Sequence, residues 1–144
     1  MLDASALLAS AEPDRYDLAE AAELLEGGAD VAAPSLLAWE IANVVHLKHP
    51  AAFGPDEAAR VRLVGALLEG IDLIEPDDAH LRDVARLVHA HRLTAYDAAY
   101  LALAVSQKAV LVTEDARLHA AARRELGASS AWRLLDAEQL RPED

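Results

Sequence analysis

The 144-residue sequence contains no cysteine, so disulfide staples and thiolate metal centres are excluded at once, and the composition agrees with a reducing cytoplasm. Lysine is almost as scarce. Only Lys48 and Lys108 are present, and with a formal net charge of −12 the chain lacks the basic surface that ordinarily holds nucleic acid. No apolar run approaches the roughly 20 residues of a bilayer span, because the longest, Ala98 to Val105, ends within two helical turns. No signal peptide is visible either, and a soluble cytoplasmic protein is expected. The six glycines form no phosphate-cradling loop, which removes the common nucleotide-binding folds. Internal repeats and low-complexity linkers are likewise missing.

What the chain does have is 53% hydrophobic residues, enough for one real core in a domain of common size. Its charge is uneven. Residues 1–30 carry Asp3, Glu12, Asp14, Asp17, Glu20, Glu23, Glu26 and Asp30 against Arg15 alone, whereas Arg117, Arg123, Arg124 and Arg133 gather near the end. Such runs are most often solvated faces. The six histidines (His46, His49, His80, His89, His91 and His119) match no metal spacing and are expected at the surface.

Strand and helix signals alternate along the chain. Met1-Leu2 is a strand of minimal length, followed by Asp3 and a short apolar helix. Tyr16–Glu26 reads as a helix with an acidic outer face, closed by Gly27-Gly28. Val31–Ala33 is a short buried strand, and a helix opened by Pro34-Ser35 runs to about Leu47, stopped by His49-Pro50. On a wheel of about 100° per residue, Leu36, Leu47, Val44 and Leu37 span a quarter turn, and Glu40 falls inside that arc. Asp56–Glu69 is a helix with Val61, Val64 and Leu68 inward. Ile71–Ile74 is a strand, and a helix from Pro76-Asp77 to about His89 turns Leu81, Val84, Ala85 and Val88 to the core. Ala109–Thr113 is a continuous apolar strand of the kind buried on both faces of a parallel sheet. A helix to Leu126 and a last strand, Trp132–Leu135, complete the pattern. The expected fold is a three-layer α/β/α domain over residues 1–136, with a parallel sheet of order 3-2-1-4-5 and a C-terminal tail over 137–144.

The organising stretch is Thr94–Val105. Every position from Ala98 to Val105 is apolar, so this helix is expected to be enclosed, with Asp97 at its mouth. Thr94 and Asp97 have the spacing of a capping box, which alone explains an acid there. Asp3 and Asp115, however, both follow strands that are neighbours at the reversal point of the sheet, where such folds form their crevice. Glu40 points inward and is costly to bury unpartnered; Asn43 or main chain would satisfy it otherwise. Carboxylates about 4.5 Å apart repel by roughly 4 kcal/mol at an effective dielectric near 20. With no basic residue in the constellation, the natural counter-charge is a hard divalent ion bound by oxygen, Mg²⁺ or Mn²⁺, which suits phosphodiester hydrolysis.

At these residues the sequence resembles the PIN-domain ribonucleases, in particular the VapC-type toxins of bacterial toxin–antitoxin pairs. The matching pieces are Asp3–Leu8, Pro34–Asn43, Leu93–Ala104 and Leu111–Asp115, and the third is the most specific. The resemblance implies that Asp3, Glu40, Asp97 and Asp115 bind the metal and carry catalysis. It implies that Ser5, Asn43 and Thr113 orient water or carboxylates. It also implies RNA cleavage with Mg²⁺ or Mn²⁺, a homodimer, and silencing by a cognate antitoxin laid into the active-site groove. Two features depart from the pattern: the clipped first strand leaves the Met1 ammonium within about 7 Å of Asp3, and the surface is acidic. Arg117, Arg123 and Arg124 are the expected phosphate contacts. A phosphoacceptor receiver domain would need paired acids after strand one and a late lysine, and a haloacid-dehalogenase-like phosphatase would need an acid where Ser5 stands. The rivals that remain are a PIN fold that binds without catalysis and an RNA-processing nuclease that is no toxin.

Overall fold

A computed structural model describes residues 1, 3–9 and 27–134; the expected helix at 16–26 and the tail at 137–144 lie outside them. Within them the fold is a mostly helical α/β arrangement with parallel strands. Its centre is α5, Ala95–Gln107, in which every residue from Ala98 to Ala104 is buried. Four alanines in that run let neighbouring elements approach closely. Against α5 pack α4 (Asp78–His91), α6 (Ala116–Leu126) and the strands β1 (Val31–Pro34) and β3 (Leu111–Thr113). The remaining elements are α1 (Ala4–Ala9), α2 (Leu36–Asn43), α3 (Glu57–Leu68), β2 (Ile71–Ile74) and β4 (Ala131–Arg133).

Strands β1 and β2 pair in parallel with Val31 opposite Ile71, and β3 and β4 pair in parallel with Leu111 opposite Ala131. The main chain at Met1 and Asp3 runs beside β3: the Val112 N–H donates to the Met1 carbonyl at 2.9 Å and the Asp3 N–H to the Val112 carbonyl at 3.3 Å. The Met1 ammonium donates to the Val110 carbonyl at 2.8 Å, so it is turned along the strand, and burial lowers its pKa. Among the described residues the strands form two pairs, and the five-strand order 3-2-1-4-5 is not displayed.

Helix α2 departs from its expected wheel. Leu37, Ile41 and Val45 are the fully buried residues, while Leu47 is 73% exposed. With Ile41 at the centre of the buried face, Leu47 lies about 120° away even on a regular helix, and a change of helix type carries it further. Val44–Lys48 forms a π turn in which the His49 N–H reaches back five residues to the Val44 carbonyl at 2.9 Å. A π turn takes about 4.4 residues, so each advances about 82° instead of 100°, and by Leu47 the lag of about 54° has swung the side chain almost opposite the core. The buried face is centred on Ile41, which places Glu40 at its edge and half-buried.

Two further inward faces were misplaced by the sequence pattern. Val61 is 56% and Leu81 54% exposed, and Ala85 is exposed too. In α3 it is Leu63, Val64, Leu67 and Leu68 that pack on the core, and in α4 Val84, Leu87 and Val88. The inward stripe of α4 is disguised by polar ends. His80 Nε2 meets the Ala99 carbonyl at 2.9 Å, and His91 Nε2 meets Glu125 Oε1 at 2.6 Å. His119 likewise reaches the Ala131 carbonyl at 3.1 Å, so these three histidines are partly buried and not surface residues.

The corrected wheel of α2 makes a direct prediction. Leu37→Ala is expected to cost about 2–5 kcal/mol in urea denaturation, and Leu47→Ala no more than about 0.5. Similar losses for the two would contradict a buried face centred on Ile41.

Candidate active site

Asp3 is where the chain leaves its place beside β3 and enters α1, and the residue is 5% exposed. Three donors hold it: the Ser5 hydroxyl at 2.7 Å, the Ala6 N–H at 2.8 Å and the Thr113 hydroxyl at 2.5 Å. Each hydroxyl spends its proton on Asp3 and accepts in turn from main chain. The Glu114 N–H reaches Ser5 Oγ at 3.0 Å and the Asp115 N–H reaches Thr113 Oγ1 at 3.0 Å. Burial pushes the Asp3 pKa up to about 6; its hydrogen bonds restrain the shift and the charge of Asp97 adds to it.

Glu40, on the rim of α2, accepts a hydrogen bond from the phenol of Tyr100. Its pKa is raised, first by burial, then by the charges of Asp3 and Asp97, with Tyr100 and Lys48 acting the other way. Tyr100 is 1% exposed, and burial together with Glu40 drives its own pKa upward, so the phenol stays protonated and donates. Tyr100 lies three residues beyond Asp97, on the same face of α5.

Asp97 and Thr94 form the N-cap half of the capping box, and the Asp97 carboxylate is bonded to the Thr94 hydroxyl. The Asp97 N–H donates to Thr94 Oγ1 at 3.1 Å, and the Thr94 hydroxyl donates to Asp97 Oδ2 at 2.9 Å. Burial raises its pKa and the charge of Asp115 adds to that, while Thr94 and Arg117 oppose it. Capping does not consume the carboxylate. Asp115 caps α6 in the same manner, accepting from the Leu118 N–H at 2.8 Å, and is exposed.

All four acids line one cavity of about 290 Å³, together with Ser5, Asn43, Tyr100 and Lys48. Thr113 is fully buried behind it and acts on Asp3. Of the three arginines, Arg117 bonds the Arg92 carbonyl at 2.9 Å and stabilises the Asp97 charge. Arg123 and Arg124 stand exposed in the last turn of α6, outside the cavity lining. Tyr100 and Lys48 were missed in the sequence. Tyr100 reads as one more apolar core residue unless its i+3 spacing from Asp97 is noticed. Lys48 is brought to the cavity by the π turn, for which the sequence carries no evident signal.

Among the described residues no three His, Asp or Glu side chains stand close enough together to grip a metal ion as they are placed. The donor chemistry nevertheless fits a hard divalent cation. The acids are oxygen donors from four chain segments, three of them have raised pKa values, and repulsion among them contributes to each shift.

Because the folded-state pKa of Asp3 exceeds its unfolded value, Asp3 favours the native state while protonated. That contribution is complete below 3.8 and lost as pH rises through about 6. The metal-free protein is therefore expected to lose up to about 3 kcal/mol across this window. Asp3→Asn, melted in chelator, should flatten the decline and raise the melting temperature above pH 7. A wild-type protein equally stable on both sides of pH 6 would contradict this.

No curated protein sequence matches the chain. The family comparison does: the PIN domain, a nuclease-type fold, matches residues 1–124, which takes in Asp3, Glu40, Asp97, Asp115 and every element through most of α6. The chain belongs to the PIN domain family.

Proposed function

We propose that the cavity is the active site of a divalent-metal-dependent endoribonuclease. The observation that carries this reading is the gathering of Asp3, Glu40, Asp97 and Asp115 around one cavity in which burial and neighbouring carboxylate charge disfavour ionisation of the first three. Those four would hold Mg²⁺ or Mn²⁺. When bound, the ion supplies charge neutralisation, activation of water and stabilisation of the leaving oxygen of a phosphodiester. The chain's own part is orientation. Ser5 and Thr113 fix the Asp3 carboxylate, Tyr100 tethers Glu40 and Thr94 tethers Asp97. Asn43, on the cavity wall, is placed to orient water or a carboxylate.

The same reading assigns the protein as the toxin of a type II toxin–antitoxin pair, cytoplasmic, homodimeric, and silenced by an antitoxin segment in the groove. Its support is the resemblance of the Thr94–Ala104 stretch to VapC-type toxins. A full sheet of order 3-2-1-4-5 also belongs to it; the main-chain bonds from Met1 and Asp3 to β3, and from β3 to β4, support its 1-4-5 half. The competing reading is a PIN fold that binds without cleaving.

One experiment separates them. Purified protein is expected to cleave single-stranded RNA with Mn²⁺ and not with chelator, and Asp97→Asn to lose at least about 100-fold in rate. Millimolar Mn²⁺ should raise the melting temperature of the wild type by about 2–8 °C and that of Asp97→Asn by less. Cleavage unaffected by the substitution, or no metal-dependent shift, would refute the metal centre.

A further inference from the structure

The chain is strongly acidic, yet a phosphodiester must approach a cavity lined by four carboxylates. Among the described residues one cation stands in that lining, Lys48. It lies near enough to Glu40 to help stabilise that carboxylate's charge, and among the described residues it forms no ion pair. Its position follows from the π turn. In an unbroken α-helix Lys48 would lie about 20° from Ile41, in the middle of the buried face. With Val44–Lys48 wound at about 82° per residue it swings to within about 10° of Glu40. The helix distortion thus takes a charged side chain off the core and brings it to the cavity. The other basic candidates are placed differently: Arg117 is bonded to the Arg92 carbonyl, Arg123 and Arg124 are outside the lining, and Lys108 ends α5 in a left-handed turn.

We propose that Lys48, presented by the π turn, is the phosphate-binding residue of this site and contacts the RNA backbone next to the carboxylates. The inference rests on the ribonuclease reading. A single ammonium is a point charge suited to one phosphate oxygen, with no base selectivity.

The test compares wild type, Lys48→Met, Lys48→Arg and Lys108→Met on a fluorescein-labelled single-stranded RNA oligonucleotide with Mn²⁺, over a series of salt concentrations. Calorimetric titration with Mn²⁺ alone is run in parallel. Lys48 is exposed, so the substitutions leave the core untouched. Lys48→Met is expected to raise KM about threefold to tenfold with kcat nearly unchanged. It should also lower the slope of log(kcat/KM) against log salt by about 0.7, the share of one phosphate contact on a single strand. Lys48→Arg should restore both, Lys108→Met should match wild type, and Mn²⁺ affinity should not weaken in Lys48→Met. A Lys48→Met protein with wild-type KM and salt slope overturns the proposal. So does one whose defect is confined to kcat and weaker Mn²⁺ binding, since Lys48 would then act on the carboxylates. Wild type that binds no Mn²⁺ and cleaves no RNA overturns the ribonuclease reading, and this inference with it. Wild type that binds and cleaves, beside an unaltered Lys48→Met, removes this inference alone.

Discussion

Keeping the Asp3 carboxylate out of water is the constraint from which the rest of the site follows. An isolated buried carboxylate is expensive, and the protein meets the cost with two hydroxyls and a main-chain amide. Those hydroxyls come from α1 and from the end of β3, and each is itself anchored by the main chain of residues 114 and 115. One charge therefore stitches the start of the chain to a strand more than a hundred positions away, and sets the place where α6 begins. The stitching is incomplete as compensation, since the carboxylate still prefers to be neutral up to about pH 6.

Helix α5 supplies the opposite wall from a single rigid element. Its buried alanines and leucines fix its position against both flanking helices and two strands. Asp97 and Tyr100 then project from one face, the first carrying charge and the second holding Glu40 of a different helix. On the far side of α5, Glu125 is held by His91 and Arg86, which ties α4 to α6; the His91 contact is the main cause of its lowered pKa. The acids of the cavity and the pair behind them are thus treated in opposite ways, the former left short of positive charge and the latter matched.

Local pattern revealed what local pattern controls. The enclosed character of α5, the Thr94 cap with Asp97 and the position of Asp115 just beyond β3 were legible because each depends on a few adjacent residues. The faces of α2, α3 and α4 were not. Leu47 and Leu81 are apolar at helical spacing, yet one follows a change of helical pitch and the other loses its place on the inward stripe to His80 and His91. Two helix ends also lack their usual signal: Arg92 and Lys108 adopt φ of 54° and 51°, a left-handed geometry usually marked by glycine. The cavity role of Tyr100 needed knowledge of what α2 brings opposite it, which no window of sequence contains.

The two walls of the cavity differ in how firmly they are built. Asp97 and Tyr100 belong to the most tightly enclosed helix, where enlarging an alanine would disturb every neighbour at once. Asn43 and Lys48 belong to a helix end already wound off the regular pitch and largely open to solvent. Divergence among proteins built this way would be channelled accordingly: the enclosed wall is frozen by its surroundings, while the solvent-facing end of the other is free to be rewritten residue by residue.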